Sequence, residues 1–465
     1  MSKSSDKKEY ARMVSRRSLV KWSVAAGAAL GLKPWQVFEA LEGSGPGGVA
    51  MAADASCHST NRSVHIIGGT GGFAWFQLLW PHNDIAAAAN PNFAYHAIGE
   101  EIMAANTDKP LTLGPEAPWK TLNGSRQVTA LMAGRNETHT NSPSTSSTIN
   151  GGISLFAACA AMQSTNPTLV PVIAVDDVGV GNAPGAPNVA RVNNGDAIVG
   201  LFNSAASRAG SVLENAADAE IYDAHYKALL SLNRMSGRPT SKRSLATGRE
   251  ASALLGKNLA DALAPTNADL NRYGINGATP TKLTNLARTL IVTARAFALG
   301  LTSSVVLPAM KDDPHGAFTN MANLRSTVVG LGGILDAFMG DLQTMDDPAC
   351  SDKLAEGTVI TIHGDTPKDP RNRSGWPDGT PQNSNWIYAL GAGHLKTGWH
   401  GGVDRNGTVT TFDPATGNPV NASSDSTREA ASAAIAYAVA KGDMRRVQDF
   451  YDGGDISGIV TPVTL

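Results

Sequence analysis

The 465-residue chain predicts an α/β fold built on a doubly wound, mostly parallel sheet. Three observations point there. Short apolar runs recur along the chain without clear alternation, as expected of strands covered by helices on both faces. Amphipathic or small-residue helical stretches separate those runs. Acidic and imidazole residues stand just past several of them, where the strands of a parallel sheet share one ligand-binding edge.

Taken in order, residues 1–52 stand apart from the fold. "SRRSLVK" (Ser15–Lys21) sets an arginine pair before the eleven-residue apolar stretch "WSVAAGAALGL" (Trp22–Leu32), too short to span a bilayer. The pattern is that of a twin-arginine export signal with a linker, and "AMA" (Ala50–Ala52) offers a cleavage site. The expected destination is the periplasm or the exterior, reached already folded. Replacing Arg16 and Arg17 by lysine is therefore expected to trap the precursor inside the cell, as read by fractionation; unchanged export would remove the assignment.

Residues 53–465 form the expected α/β domain. Its candidate strands are "SVHII" (63–67), "VTALMA" (128–133), "PVIAV" (171–175), "SSVVLP" (303–308), "TVITI" (358–362) and "WIYALG" (386–391). Residues 205–300 carry no strand signal and predict a helical insertion or cap. The helix at 317–345 has Leu324, Val328, Leu331, Leu335, Phe338 and Leu342 at four-three spacing, one apolar stripe for the sheet. A late helix is predicted to start at a capping box, "STRE" (Ser426–Glu429), and to stop at Gly442. No transmembrane segment is expected in the mature chain.

Composition narrows the function classes. Charged residues make up only 17%. The net charge is −2, and because residues 1–52 hold eight Lys/Arg against four Asp/Glu, the remainder carries 30 against 36. That balance argues against a nucleic-acid partner. Cys57, Cys159 and Cys350 are too few for a zinc knuckle or a disulfide framework, leaving room for one bridge and one free thiol.

Motifs exclude more than they assign. In "VHIIGGTGGFA", Gly69, Gly71 and Ala74 satisfy the loose dinucleotide pattern, yet Pro81 ends the next helical stretch early and no acidic residue closes a second strand. No nucleotide cofactor is expected. The chain has no P-loop lysine, no Gly-x-Ser-x-Gly elbow and no His-Glu-x-x-His. What remains is Asp312, Asp313 and His315 after "SSVVLP", His363 and Asp365 after "TVITI", and His139 after "VTALMA". Carboxylates and imidazoles that converge on one edge suit a transition-metal site, whereas the same residues taken singly serve as turn caps and backbone hydrogen-bonders.

The order of "IIGGTGGF", "DDPHGAF", the long helix, "TIHGDTPKD" and "GTPQNSNWIYALGAGHLKTGWHGG" (379–402) resembles a twin-arginine-exported family of the alkaline phosphatase and sulfatase superfamily, catalogued as domain of unknown function fifteen hundred and one. The resemblance covers the mature chain in outline and is closest over 303–402. It implies an alkaline phosphatase-like core, metal ligands at the C-terminal sheet edge, and metal-assisted phosphoryl or sulfuryl transfer. Departures from the family pattern are extensive. Gly71 replaces an expected Asp, Ile362 a Glu, Asp365 an Arg, and Pro381–Gln382 an Asp-His pair. Asp313 and His315 keep the Asp-x-His element, and Thr70 occupies the turn where a superfamily nucleophile would stand.

Two functional expectations follow. One is a non-catalytic binding or surface role on a fold with a degenerate metal site and a small-molecule or surface partner. The other is a divergent hydrolase of a phosphate or sulfate ester, holding at most one divalent metal ion on Asp313, His315, His363 and Asp365, with Thr70 as nucleophile.

Overall fold

The computed structural model describes residues 58–68, 79–80, 101–103, 110–113, 128–135, 137, 139–143, 146–166, 168–202, 259–309, 321–364, 384–403 and 409–463. The chain divides into two compact units. One comprises Met1–Ala55, Pro167–Leu169 and Phe202–Ala262; the other comprises Ser56–Asn166, Val170–Leu201 and Leu263–Leu465. The second unit carries the sheet.

Eight strands form that sheet: β1 (Arg62–Ile67), β2 (Thr129–Arg135), β3 (Val172–Val175), β4 (Val189–Val192), β5 (Ser304–Pro308), β6 (Thr358–His363), β7 (Ser384–Leu390) and β8 (Gly398–His400). Their spatial order is β8-β2-β7-β6-β1-β5-β3-β4. Every neighbouring pair is parallel except the two made by β7, which runs against β6 and β2. The α/β class and the mostly parallel sheet expected from the apolar runs are therefore present, as a mixed sheet. Each of the six predicted strands lies within about two residues of an observed one. The edge strands β4 and β8 gave no signal, because Arg191 interrupts the apolar run of β4 and β8 has only three residues.

Helices cover both faces. α1 (Leu155–Gln163) sets Phe156 against His65 of β1, with ring centroids 4.9 Å apart. Its last residue, Gln163, donates to the carbonyls of Asn61 (2.9 Å) and Ser303 (3.2 Å), tying the helix end to β1 and the chain before β5. Arg62, an odd number of residues from His65, faces the opposite side. There its guanidinium lies 6.0 Å from the Phe297 ring of α3 (Thr281–Ala298), which follows the short helix α2 (Asn267–Arg272). α3 packs on α4 (Met321–Thr344) and on β5. The end of the segment expected as an insertion or cap is thus a layer helix of the sheet; residues 205–258 lie outside the described residues. In α4, Leu331, Leu335, Phe338 and Leu342 are buried as their spacing predicts, and the side chains of Leu324 and Val328 lie outside the described residues.

The late helix, α5 (Arg428–Val439), starts differently from the expected capping box. Ser426 Oγ donates to the Ser423 carbonyl (2.6 Å) within a 3-10 turn at Ser424–Thr427, and no side chain caps the helix itself. The intervening turn consumes the hydroxyl that a capping box would use. Its end is as predicted: Gly442 has φ 83°, and its N–H reaches the Tyr437 carbonyl (2.9 Å).

At the N-terminal edge of the sheet, Arg62 donates to both carboxylate oxygens of Asp347, at 2.5 and 2.8 Å, and both side chains are at most 5% exposed. Cys350, three residues on, is disulfide-bonded, while Cys159 of α1 is a buried free thiol.

Candidate functional site

The expected ligand edge is where β1, β5 and β6 end together. Gly68 N–H donates to the His363 carbonyl (2.9 Å), and Ala309 N–H donates to the Ile67 carbonyl (2.7 Å), so the three strand ends are held in register. His363 is the final residue of β6. Thr70, Asp313, His315 and Asp365 lie outside the described residues. His139, after β2, is partly buried and has a left-handed backbone with φ 57°.

His363 does not stand alone. Pairing of β1 with β6 sets His65 opposite Thr361, and alternation puts Thr361 and His363 on the same face. The result is a chain of four side chains. Ser147 Oγ lies 2.9 Å from His363 Nδ1, His363 Nε2 lies 2.8 Å from Thr361 Oγ1, and Thr361 Oγ1 lies 2.7 Å from His65 Nδ1. Phe156 closes over both rings, its centroid 4.9 Å from each. Both imidazoles are fully buried, and Ser147 is 2% exposed.

Proton counting constrains this chain. Burial lowers the pKa of His65 to about 3 and, together with the nearby His65, holds that of His363 well below the ordinary histidine value. Two neutral rings bring one N–H each. Thr361, with a single proton between two ring nitrogens, donates to one and accepts from the other. The chain therefore runs in a single direction, and the Ser147 hydroxyl turns to suit it. At the far end His65 Nε2 is buried without a partner among the described residues.

The chain matches no known family model, no curated protein and no solved structure. Metal ligation by His363 requires a free ring nitrogen, and both already meet hydroxyls, so ligation would displace Ser147 or Thr361. Among the described residues, no group of three or more His, Cys, Asp or Glu is placed to hold a metal ion.

A second polar group lies past β2 and β3. Glu137 accepts from the Ser146 N–H (2.5 Å) and hydroxyl (2.6 Å), and Asn141 donates to Asp177 (2.5 Å). Sequence reasoning overlooked Ser147, Thr361, His65 and Glu137. A signal for two of them was present: in "RSVHII" and "TVITIH" polar residues occupy every second position near the strand end, Ser63 with His65 and Thr361 with His363. That alternation marks one polar strip on an otherwise apolar sheet.

Proposed function

We propose that this is an exported protein using an alkaline phosphatase-like fold for a binding or surface role, with a degenerate metal site. The observation that carries the reading is the state of His363. Metal hydrolysis would call on this imidazole as a ligand, yet it is fully buried and spends both ring nitrogens on hydroxyls. Loss of expected ligands at Gly71, Ile362, Pro381 and Gln382 points the same way, because a two-metal centre must hold both the attacking and the leaving oxygen. Export is supported by the twin-arginine pattern and by the disulfide at Cys350, since such bonds persist in oxidising compartments. A divergent ester hydrolase is the second reading, favoured by the Asp313-x-His315 spacing.

Elemental analysis of the mature protein, with assays on aryl phosphate and aryl sulfate esters, separates the two. The expected result is at most one ion per chain, lost in Asp313→Ala and His315→Ala, and no ester turnover. Two tightly held ions, or turnover abolished by Asp313→Ala, would establish the hydrolase instead.

A further inference from the structure

Away from the ligand edge, unpartnered polar atoms collect where the chain enters β1. His58 Nδ1, Asn61 Oδ1 and Arg62 Nε are each buried with no hydrogen-bond partner among the described residues. Buried polar atoms are normally satisfied by protein, water or ligand, so three within five residues call for an occupant.

Local geometry brings a second cation to this place. Asn61 donates to the Val439 carbonyl through its N–H (2.8 Å) and to the Ala438 carbonyl through Nδ2 (2.8 Å), laying residues 58–62 across the end of α5. Two residues beyond Val439 the chain turns left-handed at Lys441, φ 55°. Gly357 packs close by: a Cβ there would stand at contact distance, 3.4 Å from Asp347 Oδ2, 3.8 Å from Asn61 Oδ1 and 4.0 Å from Arg62 Nη1. Each terminal nitrogen of Arg62 gives one hydrogen bond to Asp347, while Nε is buried with no partner among the described residues. Arg62 is 1% exposed, whereas His58 and Lys441 are only partly buried, so the cluster has a buried, charge-balanced base and a more exposed rim.

We propose that His58, Arg62 and Lys441 form a binding site for inorganic phosphate or a phosphate monoester group. The guanidinium Nε–H, an imidazole N–H and an ammonium all donate to a tetrahedral oxyanion. Asn61 Oδ1 is the discriminating group. It needs a donor, which the P–O–H of hydrogen phosphate supplies and sulfate lacks at neutral pH. Asp347 balances the charge of Arg62, so the site's net positive charge is that of Lys441, on which Asp352 acts from an exposed position. The site lies at the opposite edge of the sheet from His363.

Calorimetric titration of the full mature chain with inorganic phosphate, and separately with sulfate, tests the assignment. Phosphate is expected to bind saturably and more tightly than sulfate. His58→Phe, which removes Nδ1, and Lys441→Asn, which tolerates the left-handed backbone, should each weaken phosphate binding about tenfold or more. A histidine NMR titration adds an independent readout. The His58 pKa is lowered to about 4 by burial and by Arg62, against the pull of Asp347 and with help from Lys441, and bound phosphate should raise it. No saturable binding, sulfate binding as tight as phosphate, or phosphate binding indifferent to both substitutions would overturn the proposal.

Discussion

Asp347→Ala is expected to destabilise the protein by about 3–5 kcal/mol, because it leaves the Arg62 guanidinium buried with neither of its two charge-assisted bonds. The double variant Arg62→Met/Asp347→Leu should recover most of that loss, since apolar groups of similar volume replace a buried pair at little cost. Urea unfolding measures both, and a loss below about 1 kcal/mol for Asp347→Ala would show the pair to be hydrated rather than buried. Burial raises the Asp347 pKa, but hydrogen bonds and charge from Arg62 outweigh it and leave the carboxyl lowered. A folded-state value below the unfolded one gives stability that is present above about pH 4 and is lost as pH falls through the folded value. The double variant should lack this acid-side component.

His363→Ala should cost about 2–4 kcal/mol, combining an emptied space beside Phe156 with a Ser147 hydroxyl left without its partner. The loss should be the same in protein stripped with a chelator, because the imidazole acts through hydroxyls. A loss that disappears on stripping would make His363 a metal ligand and restore the hydrolase reading. The same chain has a pH signature. His65 stays neutral when folded and takes a proton when unfolded, so stability should decline as pH falls below about 6.5 and keep declining toward about 3. His65→Phe should make that part of the profile shallower, leaving the contributions of His363 and His58.

The α/β class was legible because buried strands such as "VVLP" and "VIAV" are apolar on both faces, a pattern that does not depend on which strand is the neighbour. Direction and order were not. Nothing local in "SNWIYAL" says that β7 runs antiparallel between β6 and β2, since that follows from where the chain returns. The same limit applied to the candidate site. His363 was visible as an imidazole at a strand end, but its partners come from residues 65, 147 and 361, and only strand register brings them together. Ser147, in a Ser-rich stretch, looks like any turn hydroxyl until β6 is laid beside it. The capping box failed for a related reason: a 3-10 turn took its serine, and hydroxyls choose between such local partners on small differences.

The place of β1 in the sheet bears on how the protein is made. Its two neighbours, β5 and β6, begin at Ser304 and Thr358, so the first strand of the sheet to leave the ribosome finds no partner in the next 230 or so residues of nascent chain. At roughly 5–20 residues per second the wait is about 10–50 s, with an apolar strand unpaired throughout. Assembly of the sheet centre therefore waits for the last third of synthesis, and a chain stalled before Ser304 would hold an open strand that invites chaperones or aggregation. If the proposed export of the folded chain holds, a transporter that accepts only finished folds would delay such a chain at the membrane, and synthesis time would then enter directly into the rate of secretion.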